Sequence, residues 1–261
     1  MASTVADSKR LGLMVAEATK IITEAEKRQL HLRLLGAIAF QVRCPKFSFL
    51  STKLNRILTD IDFAGYSKER AKVANMMREF GYQDEAAVTA MFGHRRMIWD
   101  HKSSGLHVDI FFDKLEMNHD IPFENRLDLD QLTIPLADML LEKMQIVQIT
   151  EKDYIDAMML LREHSIDNDG GNPETIDARY IAKLLSKDWG FYYTVTTNLT
   201  NVNNRLSQYN DISEDDREDI TSKTRALAKR IEEEPKPMSW KMRARVGPKS
   251  KWYRVVEEVS R

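Results

Sequence analysis

The sequence predicts an α+β domain followed by a helical domain, and three observations support this class. Apolar segments with strand and helix patterns alternate as far as about residue 112. From about Thr133 onward, apolar residues recur three and four positions apart, which is typical of helices that bury one face. Residues 235–261 have their own composition, with eight basic and two acidic side chains. We therefore expect an α+β domain over 1–130, a helical domain over 131–234 and a basic C-terminal tail over 235–261.

Composition excludes several classes of protein. The chain has 261 residues, of which 43% are hydrophobic and 30% are charged, and its net charge is −1. Such a chain can bury a sizeable core, and it lacks the excess of positive charge that marks a wholly basic nucleic-acid binder. Its single cysteine, Cys44, excludes an intramolecular disulfide framework and a cysteine-based zinc site. Because no apolar run approaches the roughly 20 residues that span a bilayer, and the N-terminus lacks an apolar signal core, we expect a cytoplasmic protein.

The elements of the first half follow from local patterns. Residues 8–30 predict a helix with one apolar side. Residues 32–35 predict a short strand, which runs through Gly36 into a helix over 37–42. Pro45 ends that helix because proline lacks the backbone N–H that a further turn needs.

Three further elements complete the predicted α+β domain. Residues 58–63 alternate apolar and polar side chains, which indicates a half-buried strand. Residues 68–80 predict a helix that Gly81 closes. A hairpin is predicted over 96–112, with its turn at 102–105.

The second half contains recognisable helix starts and one linker. Residues 136–147 keep helical spacing, and Thr150 with Asp153 forms the pattern of a capping box at the start of the next helix. The Asn-, Gly- and Pro-rich segment 168–173 predicts a linker. Ser213 is placed to cap the last long helix of the domain.

The most informative feature is the pair Asp60 and Asp62 on the strand predicted over 58–63. Residues two apart on a strand point to the same face, roughly 6–7 Å from each other. A third carboxylate, Asp109, lies among apolar residues on the second strand of the hairpin. If the two strands are neighbours, the three carboxylates converge. A solvated strand face shows the same pattern, so that interpretation remains open at this stage.

Converging carboxylates need a cation, because three negative charges at this distance repel one another. Ligand sets made only of oxygen favour a hard ion, which predicts Mg²⁺ or Mn²⁺. Two such ions in a shared carboxylate site suit phosphoryl or nucleotidyl transfer.

The order of these features resembles that of a known superfamily. A strand, Gly36 with Ala37 at the start of a helix, the Asp60–Asp62 strand and the later Asp109 strand follow one another. This order resembles the nucleotidyltransferase fold of the DNA-polymerase-β-like superfamily, with its G-G or G-S turn, D-x-D or D-x-E strand and third acidic residue. The fold that the resemblance implies is a mixed sheet with flanking helices.

The closer resemblance is to the AbiEii-type branch, the nucleotidyltransferase-like toxins of abortive-infection and toxin–antitoxin systems. Residues 56–63 are similar to that branch's R-x-T-x-D-I-D stretch, with the Thr displaced by one. Residues 136–143 and 152–156 resemble its Lys-bearing helix and its K/R-D-x-x-D helix start. The resemblance covers roughly residues 32–161.

The resemblance implies an enzyme that transfers a nucleoside monophosphate from an NTP to a hydroxyl acceptor and releases pyrophosphate. The acceptor would be RNA, tRNA or a small molecule, as for a toxin-like enzyme, and no membrane is involved. The alternative is an inactive nucleotidyltransferase fold that senses nucleotides or binds a partner. The implied site residues are Asp60, Asp62 and Asp109 for metal and catalysis, with Asp109 as general base, and Gly36, Ala37, Arg56, Lys143 and Asp153 for the nucleotide.

Four of these residues carry a reservation. Lys143 could be a lysine at the edge of an apolar helix stripe, Asp153 could serve only as a helix cap, and Arg56 could pair with a surface carboxylate. Ala37 stands where the family usually has Gly or Ser. Losing a serine hydroxyl costs about 0.5–1.5 kcal/mol, while the backbone donors remain.

The tail allows two interpretations. Residues 235–254 contain seven basic residues and no acid, interleaved with Trp240, Trp252 and Tyr253. Basic and aromatic residues together are typical of a nucleic-acid contact. The alternative is an arm that packs back on the body through its tryptophans.

Overall fold

The computed structural model describes residues 2–52, 58–85 and 93–256, which fall into two units. The first unit extends to Leu115 and includes Ile121–Pro135, and the second consists of Glu116–Asp120 and the residues from Leu136 onward. The protein is a mixed α+β structure with a mixed sheet and several helices, so the predicted α+β class is confirmed. Within the described ranges, no helix has both the length and the apolar character needed to cross a membrane.

A five-stranded sheet in the order β1-β2-β5-β4-β3 forms the centre of the first unit. Strands β2 and β5 are parallel, whereas β1–β2, β3–β4 and β4–β5 are antiparallel. The strands are β1 (Leu32–Leu35), β2 (Asp60–Gly65), β3 (Gln83–Asp84), β4 (Arg96–His101) and β5 (Leu106–Phe112). The described helices of this unit are α1 (Ala2–Lys27), α2 (Gly36–Arg43), α3 (Phe49–Thr52) and α4 (Arg70–Glu79).

The two faces of this sheet differ in polarity. Successive side chains on a strand point to opposite faces, so Asp60, Asp62 and Asp109 point away from the apolar side. That apolar side is core, since its central side chains are at most 5% exposed. These side chains are Ile61 and Phe63 of β2, Met97 and Trp99 of β4, and Val108 and Ile110 of β5.

The boundaries of several elements differ from those expected, and those of α1 and β2 are examples. Helix α1 ends at Lys27 rather than at residue 30, and Gln29 has a φ of 57°, which a helix cannot contain. Strand β2 covers residues 60–65 rather than 58–63, because its pairing with β1 and β5 continues as far as Gly65. Strands β1 and β5 have the predicted boundaries.

The second unit is mainly helical, as expected for this part of the chain. Asp153 accepts a hydrogen bond from the Thr150 backbone N–H at 3.1 Å, and the Ser213 hydroxyl accepts one from the Asp216 backbone N–H at 3.2 Å, which confirms both predicted caps. The helices are α5 (Leu136–Met144), α6 (Glu151–Glu163), α7 (Ala178–Leu185), α8 (Trp189–Arg205), α9 (Glu214–Glu233) and α10 (Met238–Val246). Two short two-stranded sheets complete the described strands, β6 (Lys114–Glu116) with β7 (Asp120–Pro122), and β8 (Ile166–Asp167) with β9 (Ile176–Asp177).

The tail packs against the helical unit through its tryptophans. The Trp240 indole N–H donates to the Leu185 carbonyl at 3.2 Å, and the Trp252 indole N–H donates to the Thr194 hydroxyl at 3.1 Å. A Cβ at Gly190 would lie 2.4 Å from the Trp252 carbonyl oxygen, so the tail backbone approaches α8 closely. Of the two interpretations of the tail, the structure therefore shows the packed arm. Contact with nucleic acid through the exposed basic residues remains a prediction.

A buried histidine lies beside this tail contact. His119 is 4% exposed, its Nε2 is 2.9 Å from the Thr194 hydroxyl, and its ring stacks on Phe191. Burial lowers the pKa of His119 from its ordinary value of 6.5 to about 4. The imidazole is therefore neutral in the folded chain at neutral pH.

This histidine is expected to make the chain less stable in mild acid. Between pH 6.5 and pH 4 the unfolded chain binds a proton at His119 that the folded chain does not, so stability falls as the pH falls. From pH 7 to pH 5 the loss is about 1–2 kcal/mol. Urea unfolding of the wild type and of His119→Phe at both pH values measures it. An equal pH dependence in both proteins would contradict the prediction.

Candidate functional site

The parallel pairing of β2 and β5 places two of the predicted carboxylates side by side. Asp62 is directly opposite Asp109, and Asp60 is opposite His107. Both β2 carboxylates are half-buried, and Ile61 between them is fully buried on the other face. Asp60, Asp62 and Asp109 therefore lie on one face of two adjacent strands, which is the arrangement that the sequence pattern required.

The turn between β1 and α2 lies directly against Asp62. Leu35, the last residue of β1, is opposite Asp62, and Gly36 follows with a φ of +70°. A Cβ at Gly36 would lie only 2.3 Å from Asp62 Oδ2. The position therefore needs glycine both for its backbone conformation and for the approach of the carboxylate.

Helix α2 begins at this turn and continues through Ala37. The backbone N–H groups of a first helical turn point out of the helix end and favour anions there. The start of α2 thus combines a positive helix end with a closely packed carboxylate.

Arg96 is a site residue that the sequence did not indicate. Its Nη2 lies 2.5 Å from Asp109 Oδ2, and its guanidinium lies over the Phe111 ring, 5.0 Å from the centroid. Asp109 is only 3% exposed, and a carboxylate so buried needs a charged or hydrogen-bonding partner. Within the described part of the chain, the buried Nε of Arg96 has no hydrogen-bond acceptor. Because side chains alternate along β4, Arg96 and Ile98 share a face of the sheet. The pairing of Ile98 with Asp109 shows that this is the carboxylate face.

A further polar pair continues the same face. Asp100 of β4 is opposite His107, and His107 Nδ1 is hydrogen-bonded to the Asp100 carboxylate. His107 is in turn opposite Asp60. The start of β2 thus adjoins an imidazole that a second carboxylate holds in place.

The donor set can be tested for its fit to a divalent cation. Asp60, Asp62 and Asp109 offer oxygen ligands alone, which suit a hard ion, and the strand register puts them on one face. In the described ranges, however, no three His, Cys, Asp or Glu side chains are drawn together closely enough to hold a metal ion. Asp109 is instead paired with Arg96. The three carboxylates therefore match Mg²⁺ or Mn²⁺ in ligand type and lie on one face, but they do not converge on one point, and Arg96 is the cation that pairs with Asp109.

Lys143 lies in the second unit, on α5, within a group of carboxylates. Its Nζ lies 2.9 Å from Glu142 Oε1, 3.4 Å from Asp156 Oδ2 and 3.9 Å from Asp153 Oδ1. Lys143 is 6% exposed and Asp156 is fully buried, so this is not a lysine reaching solvent at the edge of a stripe. Buried charges of this kind persist only when they are paired.

Asp153 caps α6 and also lies near Lys143. Its Oδ2 accepts the Thr150 backbone N–H as a helix cap, while its Oδ1 faces Lys143. Glu142 and Asp156 lie nearer to Lys143 than Asp153 does. Arg56 falls within 53–57, outside the described residues.

Comparison with known proteins adds no family to this description. No protein-family model, curated protein or solved structure matches the chain. The resemblance to AbiEii-type nucleotidyltransferases therefore stays a prediction from its own motifs.

Proposed function

We propose that this protein is a metal-dependent nucleotidyltransferase with the nucleotidyltransferase-like mixed sheet. It would transfer a nucleoside monophosphate from an NTP to a hydroxyl acceptor and release pyrophosphate. The observation that supports it most strongly is the register that sets Asp62 beside Asp109, with Asp60 on the same face and Gly36 packed against Asp62. That arrangement combines, in one place, the three motifs that the superfamily resemblance joins.

Asp60, Asp62 and Asp109 would hold Mg²⁺ or Mn²⁺. When bound, such ions neutralise the triphosphate and the leaving pyrophosphate and lower the pKa of an attacking hydroxyl. Asp109 accepts the proton of the acceptor hydroxyl as general base. The N–H groups of Gly36 and Ala37, at the start of α2, donate to phosphate oxygens.

Arg96 gains a role in this proposal. Its Nη2 is paired with Asp109 and its side chain is 28% exposed, so a phosphate oxygen can approach the guanidinium from solvent. Guanidinium groups bind phosphate well because several N–H donors share one plane. Arg96 thus orients the triphosphate and holds Asp109 at the same time. The roles of Lys143, Asp153 and Arg56 toward the nucleotide remain predictions of the resemblance.

The acceptor belongs to one of two chemical classes, RNA or a small hydroxyl compound, and a toxin-like role goes with either. Exposed basic residues of the tail, such as Lys241 and Arg245, favour RNA. Trp240 and Trp252 contribute less to that argument, because their indole groups are hydrogen-bonded to the helical unit.

One observation favours a second candidate function. The ion pair between Arg96 and Asp109 already neutralises the most buried of the three carboxylates. An inactive fold that binds nucleotides as a sensor, or binds a partner, would tolerate that pair permanently. This candidate predicts NTP binding with Mg²⁺ and no release of pyrophosphate.

Label transfer with and without metal tests the first proposal. The full chain is incubated with each α-³²P-labelled NTP, Mg²⁺ or Mn²⁺, and either total RNA or an aminoglycoside as acceptor. We expect labelled acceptor and pyrophosphate with metal, and loss of both in excess EDTA. Transfer that continues at full rate in EDTA would contradict metal dependence. NTP binding in calorimetry without pyrophosphate from any NTP would favour the sensor.

A further inference from the structure

The first unit contains a second candidate site, at the other end of the parallel strands from the carboxylates. A cavity of about 890 Å³ is lined by Tyr66, which follows β2, and by Phe112 and Asp113 at the end of β5. Asp60 and Asp62 lie at the start of β2, so about 13–20 Å of strand separates them from Tyr66. The carboxyl ends of parallel strands are the edge at which open α/β sheets bind ligands. We name it the strand-end cavity.

Four neighbouring strands contribute to the strand-end cavity. In sheet order the contributors are His31 before β1, Lys68 after β2, Lys114 after β5 and Arg95 before β4. His31 and Arg95 are therefore three strand spacings apart, a distance of about 14 Å. The cavity is therefore wide enough for one nucleotide unit laid across the strands.

Side chains of both charges line this width, Glu124 among them. The β2, β5 and β4 positions supply the cations Lys68, Lys114 and Arg95. The β1 side has a carboxylate instead, because Asp128 Oδ1 lies 2.8 Å from Nε2 of His31. A ligand that matches this cavity carries an anionic group at one end and hydrogen-bond donors at the other.

Other wall residues contribute to the shape of the site. The Asp113 carboxylate forms a local hydrogen bond, because it accepts the Ser67 backbone N–H at 2.9 Å. Asp113 and Asn125 both have positive φ, 63° and 56°, and both line this cavity. Such conformations are costly and concentrate at binding sites. Tyr66 adds an aromatic ring, over which Lys68 Nζ lies 5.0 Å from the centroid, and the His31 ring lies 5.2 Å from it.

We propose that the strand-end cavity binds a nucleotide unit. The phosphate contacts Arg95 and Lys114, the ribose lies beside Tyr66, and N–H groups of the base donate to Asp128. A free mononucleotide and one nucleotide of an RNA strand offer the same chemistry. The proposal does not depend on Asp60, Asp62 or catalysis, so it stands apart from the proposed transferase activity.

Calorimetry on the full chain in EDTA tests the proposal without any contribution from a metal site. The probes are the four nucleoside 5′-monophosphates and six-residue oligonucleotides of RNA, with adenosine and inorganic phosphate as controls. We expect binding of a monophosphate or an oligonucleotide, weakened at least tenfold in Arg95→Met combined with Lys114→Met. An oligonucleotide at least tenfold tighter than the monophosphates identifies RNA as the source, and equal affinities identify the free nucleotide.

Two further variants sharpen the test. Asp128→Asn is expected to weaken nucleotide binding severalfold and to leave phosphate binding unchanged, which a merely unfolded variant would not do. Asp60→Asn with Asp62→Asn is expected to bind as the wild type does, so failure of the transferase proposal leaves this result unaffected. The proposal is overturned if no nucleotide binds at millimolar concentration, if phosphate alone binds as tightly, or if the Arg95 and Lys114 changes have no effect.

Discussion

Replacing both carboxylates of β2, with Asp60→Asn and Asp62→Asn, is expected to reduce nucleotide transfer by about 10³-fold or more. The two side chains share a face with Asp109, and an amide is a far weaker ligand for Mg²⁺ than a carboxylate. Asparagine keeps the shape of the side chain, so the strand pairing should survive. The measurement is the initial rate of label transfer at saturating NTP and metal.

A matched control separates lost chemistry from changed charge. Asp215→Asn with Glu218→Gln removes the same two charges from exposed positions of α9 and should leave the rate unchanged. The folded state of both doubles is checked by circular dichroism. If the variant with Asp60→Asn and Asp62→Asn is folded and retains the full rate of label transfer, the proposed transferase site is ruled out.

Gly36→Ala is expected to reduce transfer by about 100-fold, the effect of misplacing a catalytic group by about 1 Å. The new Cβ would lie 2.3 Å from Asp62 Oδ2, a distance that real Cβ contacts essentially never show. Either the carboxylate or the turn must move, and both belong to the proposed site. The φ of +70° adds a backbone cost of about 1 kcal/mol to stability.

Gly105→Ala is the control for this second variant. Gly105 has a φ of +64°, so it carries the same backbone cost, but a Cβ there meets nothing within 4 Å. Stability measured by urea unfolding should therefore fall by about 1 kcal/mol in Gly105→Ala, with no change in transfer rate. If the two variants have equal transfer rates, contact between Gly36 and Asp62 has no part in activity.

The local sequence patterns predicted many of the elements, because each pattern reflects the backbone geometry of one segment. The strands 32–35 and 106–112, the caps at Thr150 and Ser213 and the hairpin turn all depend on neighbouring residues. The candidate carboxylates could be named for the same reason, since alternation on a strand is local. Features formed by distant residues were not predictable in this way.

Three such features were missed or left open. Arg96 has no motif, and its relation to Asp109 depends on the pairing of β4 with β5. Asp156 became a partner of Lys143 only when α5 and α6 packed together. The sequence allowed the tail either to bind a partner or to pack inward. The hydrogen bond from the Trp240 indole N–H to the Leu185 carbonyl shows that it packs inward.

The sequence by itself determined the α+β class and the shared face of Asp60 and Asp62. Only the tertiary structure decided that β2 lies parallel to β5, which turns two separate acidic strands into one carboxylate face and opens the strand-end cavity at their far end. The reason is physical. The backbone of a single strand determines how its side chains alternate between the two faces. Which strands become neighbours depends instead on burying the whole apolar face of the sheet, to which residues from Leu32 to Phe112 contribute together.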